Sequence, residues 1–202
     1  MKRILSLIGV VLVVGCGGPE PRDIGTLQEL RGVYVNPMDG QPYSGPVFEM
    51  FTSGSRMTVS LKDGERDGPY ESYHENGQLW GKGTYKDGKF DGPYEQYYEN
   101  GQLSQKRTYK DGVEDGPIEE YYENGQLSRK GTLKDGERDG PFERYHENGQ
   151  LEGKGTYKDG ELDGPLERYY LNGQLERKGT YKDGERCGEW LDEGETVTYP
   201  PC

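Results

Sequence analysis

From Gly68 to Lys182 the chain repeats itself every 24 residues. Lys-Asp-Gly recurs from Lys86, Lys110, Lys134, Lys158 and Lys182, and Asn-Gly-Gln-Leu recurs from Asn76, Asn100, Asn124, Asn148 and Asn172. A fixed period of this length means one supersecondary unit stacked on copies of itself, with function carried by an extended surface rather than a single pocket. Each unit holds two turn signals, Asn-Gly and Asp-Gly, separated by segments the length of a strand. The unit is therefore a β-hairpin, and the expected fold is all-β: an elongated, single-layer antiparallel sheet of tandem hairpins.

The register follows from the turn. If Asn76-Gly77 is a two-residue turn with positive φ at both positions, residues whose numbers sum to 153 face each other. Glu71 then lies opposite Lys82 and His74 opposite Leu79. The same rule pairs Glu95 with Lys106, Glu119 with Lys130, Glu143 with Lys154 and Glu167 with Lys178. One face is expected to carry Leu79, Tyr85 and their equivalents with Gly81 and Gly83 between them. The other carries the column Tyr73, Tyr97, Tyr121, Tyr145 and Tyr169 beside the Glu–Lys pairs. The recurring Asp-Gly-Pro, for instance Asp91-Gly92-Pro93, breaks the alternation, and Pro cannot donate to a ladder, so a bulge or bend is expected there.

Composition alone points elsewhere. Leu, Ile, Val and Phe are scarce beyond the first 15 residues, and 37 acidic residues outnumber 25 basic ones, a balance typical of disorder. The regular tyrosines argue for order, because Tyr offers a large apolar ring and a polar tip to a sheet that is only partly buried.

The ends depart from the period. Lys2 and Arg3 precede the apolar run Ile4 to Val14, shorter than the ~20 residues of a membrane-spanning helix. Val13-Val14-Gly15-Cys16 resembles the lipobox of bacterial lipoproteins, in which the cysteine is lipidated and becomes the new N-terminus; the alternative is an ordinary signal peptide with an unrelated cysteine. The resemblance implies residues 1–15 as signal peptide, lipidation at Cys16, and, with Gly17 rather than Asp next, the outer membrane. Residues 16–39, rich in Gly, Pro and charge, read as a flexible tether. Residues 40–187 hold about six repeats. The first, around Gly45-Pro46-Val47-Phe48, is degenerate, as terminal repeats are when they close an edge. Residues 188–202 form a C-terminal cap. In an exported protein Cys187 and Cys202 most simply form a disulfide, the rival reading being a reactive or metal-binding thiol pair.

Without residues 1–15, which hold two basic and no acidic residues, the formal charge is −14. Such a surface does not suit nucleic acid or bare anionic lipid, so membrane attachment is expected through acyl chains alone. The only two histidines, His74 and His146, stand where other repeats have Tyr98, Tyr122 and Tyr170, and the carboxylates repeat with the architecture. No catalytic constellation and no cofactor or metal site is expected. Asp87 to Gly92 suggests calcium, yet it lacks the ligand density and spacing of known calcium loops, and turn chemistry accounts for Asp before Gly. The tyrosine column, centred on Tyr97, Tyr121 and Tyr145, is the candidate binding surface for a protein or a glycan, set against simple packing on neighbouring strands.

The run Gly-Pro-Tyr-Glu-Gln-Tyr-Tyr-Glu-Asn-Gly-Gln-Leu from Gly92, followed by Thr108-Tyr109-Lys110-Asp111-Gly112, resembles the MORN-repeat variant of bacterial proteins labelled the YwqK-type antitoxin family. The resemblance spans about Gly40 to Gly188. It implies twisted antiparallel hairpins and a binding role: protein contacts, scaffolding and sometimes phospholipid in the parent repeats. An exported, lipidated chain is then expected to bind an envelope or extracellular protein. An immunity-like protein neutralising a toxin, a glycan-binding module and a structural spacer are the alternatives.

Overall fold

In the computed structural model, which describes residues 19–202, the repeat tract forms one sheet of 18 strands in which consecutive segments pair antiparallel. The expected signal peptide, residues 1–15, and Cys16 lie outside the described residues. Two long strands make each hairpin, for example Glu65–Tyr73 with Leu79–Lys86 and Gly140–Tyr145 with Leu151–Lys158. Glu71 lies opposite Lys82, Glu95 opposite Lys106, Glu119 opposite Lys130, Glu143 opposite Lys154 and Glu167 opposite Lys178, as the charge pattern requires.

The two turns exchange roles relative to expectation. The two-residue turn is Asp-Gly: Lys86 pairs with Lys89, and Asp87 (φ 48°) and Gly88 (φ 78°) are both left-handed. At Asn-Gly only the glycine is left-handed (Gly77, φ 83°), and the Gly77 N–H donates to the His74 carbonyl. This is the longer solution, a four-residue turn ending on a left-handed glycine with a bulge beside it. Trp80 becomes the extra residue, so Tyr73, not His74, lies opposite Leu79. Directly opposed residues point to one side, which moves Leu79 to the tyrosine face and away from Tyr85. Asp-Gly-Pro disturbs its strand as expected: it separates Lys89–Phe90 from Gly92–Tyr97, while Glu65–Tyr73 and Glu161–Tyr169 run through it with a shift of register, and Gly92 takes φ 97°, a conformation that favours glycine.

The core is built around one row across the sheet, with Leu61 and Leu133 packed beside it. Val47, Val59, Tyr70, Gly83, Tyr94, Arg107, Ile118, Gly131, Phe142, Gly155, Leu166, Gly179 and Trp190 fall in register on one face, so large residues alternate with glycines. Each glycine leaves room for the ring beside it; a β-carbon on Gly131 would lie 2.6 Å from the Phe142 ring. Tyr94, Ile118, Phe142 and Trp190 are buried in this way without a second layer. Along the same face Tyr70, Tyr85, Phe90, Tyr94 and Tyr109 form a chain of ring contacts with centroids 4.1–6.0 Å apart.

The tether expectation is corrected from Arg22 onward. Arg22–Asp23 pairs parallel with Val47 and Phe48, Ile24 is buried against Val47, Val59 and Leu61, and Gln28–Leu30 with Val33–Val35 makes a small hairpin. That hairpin docks on the Asp63-Gly64 turn, with the Tyr34 N–H donating to the Gly64 carbonyl at 2.8 Å. Polar composition concealed a few well-placed apolar residues, Ile24, Leu27, Tyr34 and Val35, that cover the first strands. At the other end Cys187 and Cys202 form a disulfide, and the Gly188 and Tyr199 N–H groups bind the Pro200 and Gly188 carbonyls, folding the tail along the strand Glu185–Asp192.

Candidate binding faces

The face opposite the core carries the expected tyrosines. Tyr73, Tyr97, Tyr121, Tyr145 and Tyr169 stand in one column, each half-buried, each donating its hydroxyl to the glutamate two residues earlier. Residues two apart on a strand share a side, so every ring sits beside its own carboxylate. The lysines close the ladder. Glu71, Lys82, Glu95, Lys106, Glu119, Lys130, Glu143, Lys154, Glu167 and Lys178 alternate in register across the sheet.

The close ion pairs run mainly between hairpins rather than within them: Lys82–Glu95 at 2.9 Å, Lys106–Glu119 at 3.4 Å, Lys130–Glu143 at 3.0 Å and Lys154–Glu167 at 2.9 Å. Lys178–Glu167, at 3.1 Å, is the within-hairpin contact. Solvent screens pairs this exposed, so the ladder fixes alignment between repeats more than it stabilises them.

These contacts shift the ionisation of the column. The tyrosine hydroxyl and then the lysine hold the Glu95 and Glu167 carboxylates below the usual range, Glu167 at about 2. Burial and the Glu119 carboxylate push the Tyr121 phenol up to about 12. The hydroxyls are thus committed to their own strand, and what the face offers outward is ring edge, lysine and carboxylate. Between the proline columns it also has shallow hollows at equivalent places two repeats apart. One, about 280 Å³, lies among Pro93, Thr108 and Pro117; the other, about 270 Å³, lies among Pro141, Thr156 and Pro165.

The sheet edges explain the remaining repeated residues. Asn76, Asn100 and Asn124 each donate to the carbonyl of the following turn, at Glu99, Glu123 and Glu147. His74 and His146 bond the Tyr97 and Tyr169 carbonyls, as the Tyr98 and Tyr122 hydroxyls bond those of Tyr121 and Tyr145. The histidines are therefore turn residues that tie one repeat to the next, and not strand residues facing leucine. On the opposite edge the Asp67, Asp91 and Asp115 carboxylates accept the Asp87, Asp111 and Asp135 N–H groups at 3.3–3.4 Å. Of the two aspartates that suggested calcium, Asp91 thus accepts from the neighbouring turn and Asp87 forms the Asp-Gly turn itself.

The core face holds a group the repeat pattern did not announce. Arg107 stands where Gly83, Gly131, Gly155 and Gly179 stand in other hairpins. Its guanidinium bonds Glu114 at 2.7 Å and Glu120 at 3.0 Å, and Arg129 also binds Glu120. The signal was available: Arg at a glycine position demands partners, and Glu114 occupies the place of Phe90.

The described residues bring together the tyrosine column and the cysteine pair, while Cys16 lies beyond them. Among the described residues no helix is long and apolar enough to cross a membrane. No curated protein matches the sequence. Among solved structures, the crystal structure of a GtfA/B complex bound to UDP and GlcNAc is similar over 80% of this chain and 26% of that one, at 10% identity. Its TM-score of 0.20 carries no argument about fold or function. The model of the MORN repeat variant matches residues 66–87, 90–111, 114–135, 138–159 and 162–183. Those matches take in more than half of the sequence and coincide with the hairpins that carry the Glu–Lys ladder, so the chain belongs to the MORN repeat variant family.

Proposed function

We propose that this chain is a non-enzymatic, outer-membrane lipoprotein whose hairpin-repeat surface binds another protein of the envelope or the cell exterior. The observation that carries the reading is the tyrosine–charge face, which repeats the same ring and ion pair in successive hairpins and a proline-walled hollow two repeats apart. Two strands per repeat set these features about 10 Å apart, and an extended chain advances ~3.3 Å per residue, so every third residue of an extended partner meets an equivalent position. Lipid attachment at Cys16 rests on the lipobox resemblance, and the membrane is engaged through that anchor. The acidic balance disfavours nucleic acid. A non-enzymatic role is supported by the use already found for the carboxylates: those of the ladder are bonded to tyrosine and lysine, and Asp67, Asp91 and Asp115 to backbone.

An immunity-like role against a toxin is the second reading, favoured by the unrepeated Trp80, which is 37% exposed beside the exposed Phe51 in a groove at the first hairpins. The test is a crosslinked pull-down from the native envelope with a Cys16→Ser control, repeated with Tyr97, Tyr121 and Tyr145 all changed to Ser. A stoichiometric protein lost on the triple substitution supports the repeat face; one lost only on Trp80→Ala moves the site to the first hairpins. Failure to enrich any protein sinks the proposal in favour of a glycan ligand or a spacer.

A further inference from the structure

The core face contains a hollow of about 240 Å³ above Gly153 and Gly155. Only this hairpin and the one formed by Glu65–Tyr73 and Leu79–Lys86 have glycine at both positions, the latter having Gly81 and Gly83. There Tyr94 covers the pair, with its hydroxyl 2.7 Å from where a Gly81 β-carbon would stand and its ring 2.9 Å from that of Gly83. At the equivalent place beside Gly155 the next strand supplies Leu166 instead. The shorter side chain reaches Gly155, at 3.7 Å, whereas the nearest atoms to a Gly153 β-carbon are the Glu167 carbonyl oxygen at 3.1 Å and Arg168 Cγ at 3.4 Å, so the ring that covers Gly81 has no counterpart here.

Its walls combine two chemistries. Phe142, Tyr157, Leu162 and Leu166 make an apolar side, and Arg129, Arg138, Arg144 and Arg168 surround them. Arg138 stacks on the Phe142 and Tyr157 rings and donates to the Tyr157 hydroxyl at 3.1 Å; among the described residues no carboxylate lies within ion-pair distance of it. Arg144 and Arg168 share one Glu152 oxygen, each at a long 3.8 Å, and Arg168 reaches Glu176 at 3.6 Å. Arg129 pairs with Glu120, but its Nε is buried without a hydrogen-bond partner. Glu143, Lys154 and Glu167 also border the hollow, with their charges committed to the ladder on the opposite face. In a chain of net charge −12 this is a local surplus of guanidinium with unused donors.

We infer that this hollow binds a carboxylate adjoining a single apolar side chain, as at the free C-terminus of a peptide ending in an aromatic or leucine-like residue, or in a small free acid of that shape. Guanidinium forks match a carboxylate in geometry and charge, and the apolar wall receives the neighbouring group. The volume is below the ~300–1,000 Å³ of drug-sized sites, so one side chain and its carboxylate fill it. The site lies on the face opposite the tyrosine column and stands independently of the proposed function.

The test uses the full chain and four probes: N-acetyl-phenylalanine, its amide, a tetrapeptide ending in Phe, and that tetrapeptide amidated at its C-terminus. Binding is followed by calorimetry and by the backbone amide resonances of Gly153 and Gly155. Each acid is expected to bind about tenfold or more tighter than its amide, the size of a charge-assisted hydrogen bond. The preference should disappear in Arg144→Gln/Arg168→Gln with circular dichroism unchanged. A tetrapeptide acid binding tighter than N-acetyl-phenylalanine identifies a chain terminus as the source, and equal affinity identifies the free acid. Equal binding of acid and amide by the unaltered protein, or resonances that no probe moves, overturns the inference without recourse to the variants.

Discussion

The indole of Trp190 lies on Gly179, where an added β-carbon would stand 2.1 Å from Trp190 Cδ2. Trp190 is fully buried, and its Nε1–H donates to the Cys187 carbonyl at 3.1 Å, so the ring cannot retreat without losing a bond. Gly179→Ala should therefore destabilise by about 1–3 kcal/mol, the usual cost of overpacking. Gly155→Ala should cost less, since the nearest atom there is the flexible Leu162 Cδ2 at 3.2 Å. Urea titration of both variants checks the order; equal effects would mean that the ring–glycine contacts do not set it.

Arg107 offers the reverse experiment. Arg107→Gly restores the residue of the other hairpins yet leaves Glu114 without its cation and removes one of the two arginines on Glu120. A loss of about 1–3 kcal/mol is expected, the penalty for polar groups left unpaired. Adding Glu114→Phe, which copies the Gly83 and Phe90 arrangement, should recover most of it. A neutral single substitution would show that the cluster contributes nothing to stability.

The ladder sets the pH range. Glu167 is depressed to about 2, and Glu95, Glu119 and Glu143 are also lowered, each first by its tyrosine hydroxyl. Depressed carboxylates stabilise the fold above their unfolded pKa, so stability should be full above about pH 4.5 and fall as pH drops toward 2. Tyr121 is raised to about 12. A raised phenol stabilises below its unfolded pKa, and that stability should drain between pH 10 and 12. Chemical denaturation across pH, with tyrosine absorbance at the alkaline end, tests both limbs. A flat profile from pH 5 to 2.5 would contradict the acid limb.

Cys202→Ser opens a bridge of sequence separation 15 that holds the tail beside Trp190. A chain-entropy estimate for such a loop is ~3 kcal/mol. The loss should appear as a lower urea midpoint and a red-shifted, more quenchable tryptophan emission, and reductant should reproduce it in the unaltered protein.

The period, the strand pairing and the tyrosine column were legible because each depends on spacing alone. The turn type was not: Asn-Gly satisfies both the two-residue turn and the longer one, and the choice shows only in where Leu79 pairs. The partner of each lysine was also hidden, since Lys106 lies between Glu95 and Glu119 in register and side-chain packing selects the latter. The core row could have been found. Tyr70 and Gly83 obey the same sum rule as Glu71 and Lys82, and large residues facing glycines in four of the five 24-residue hairpins are a packing signal. The docking of Ile24 onto Val47 and Val59 had no comparable signal, because one isoleucine in a polar stretch has no periodicity to reveal it.

The edge bonds have a direction. Asn76 and Asn100 give hydrogen bonds forward to the next unit, while the Gly112 and Gly136 N–H groups give them backward, to Phe90 and Glu114. Every internal unit thus carries a donor and an acceptor for an identical neighbour, and excising 24 residues such as 115–138 rejoins chemically matching ends. Length becomes an independent variable of the protein: gene duplication or loss can extend or shorten its reach in steps of about 10 Å while the backbone bonds between units are kept, the Arg107 cluster being the junction that needs its own partners.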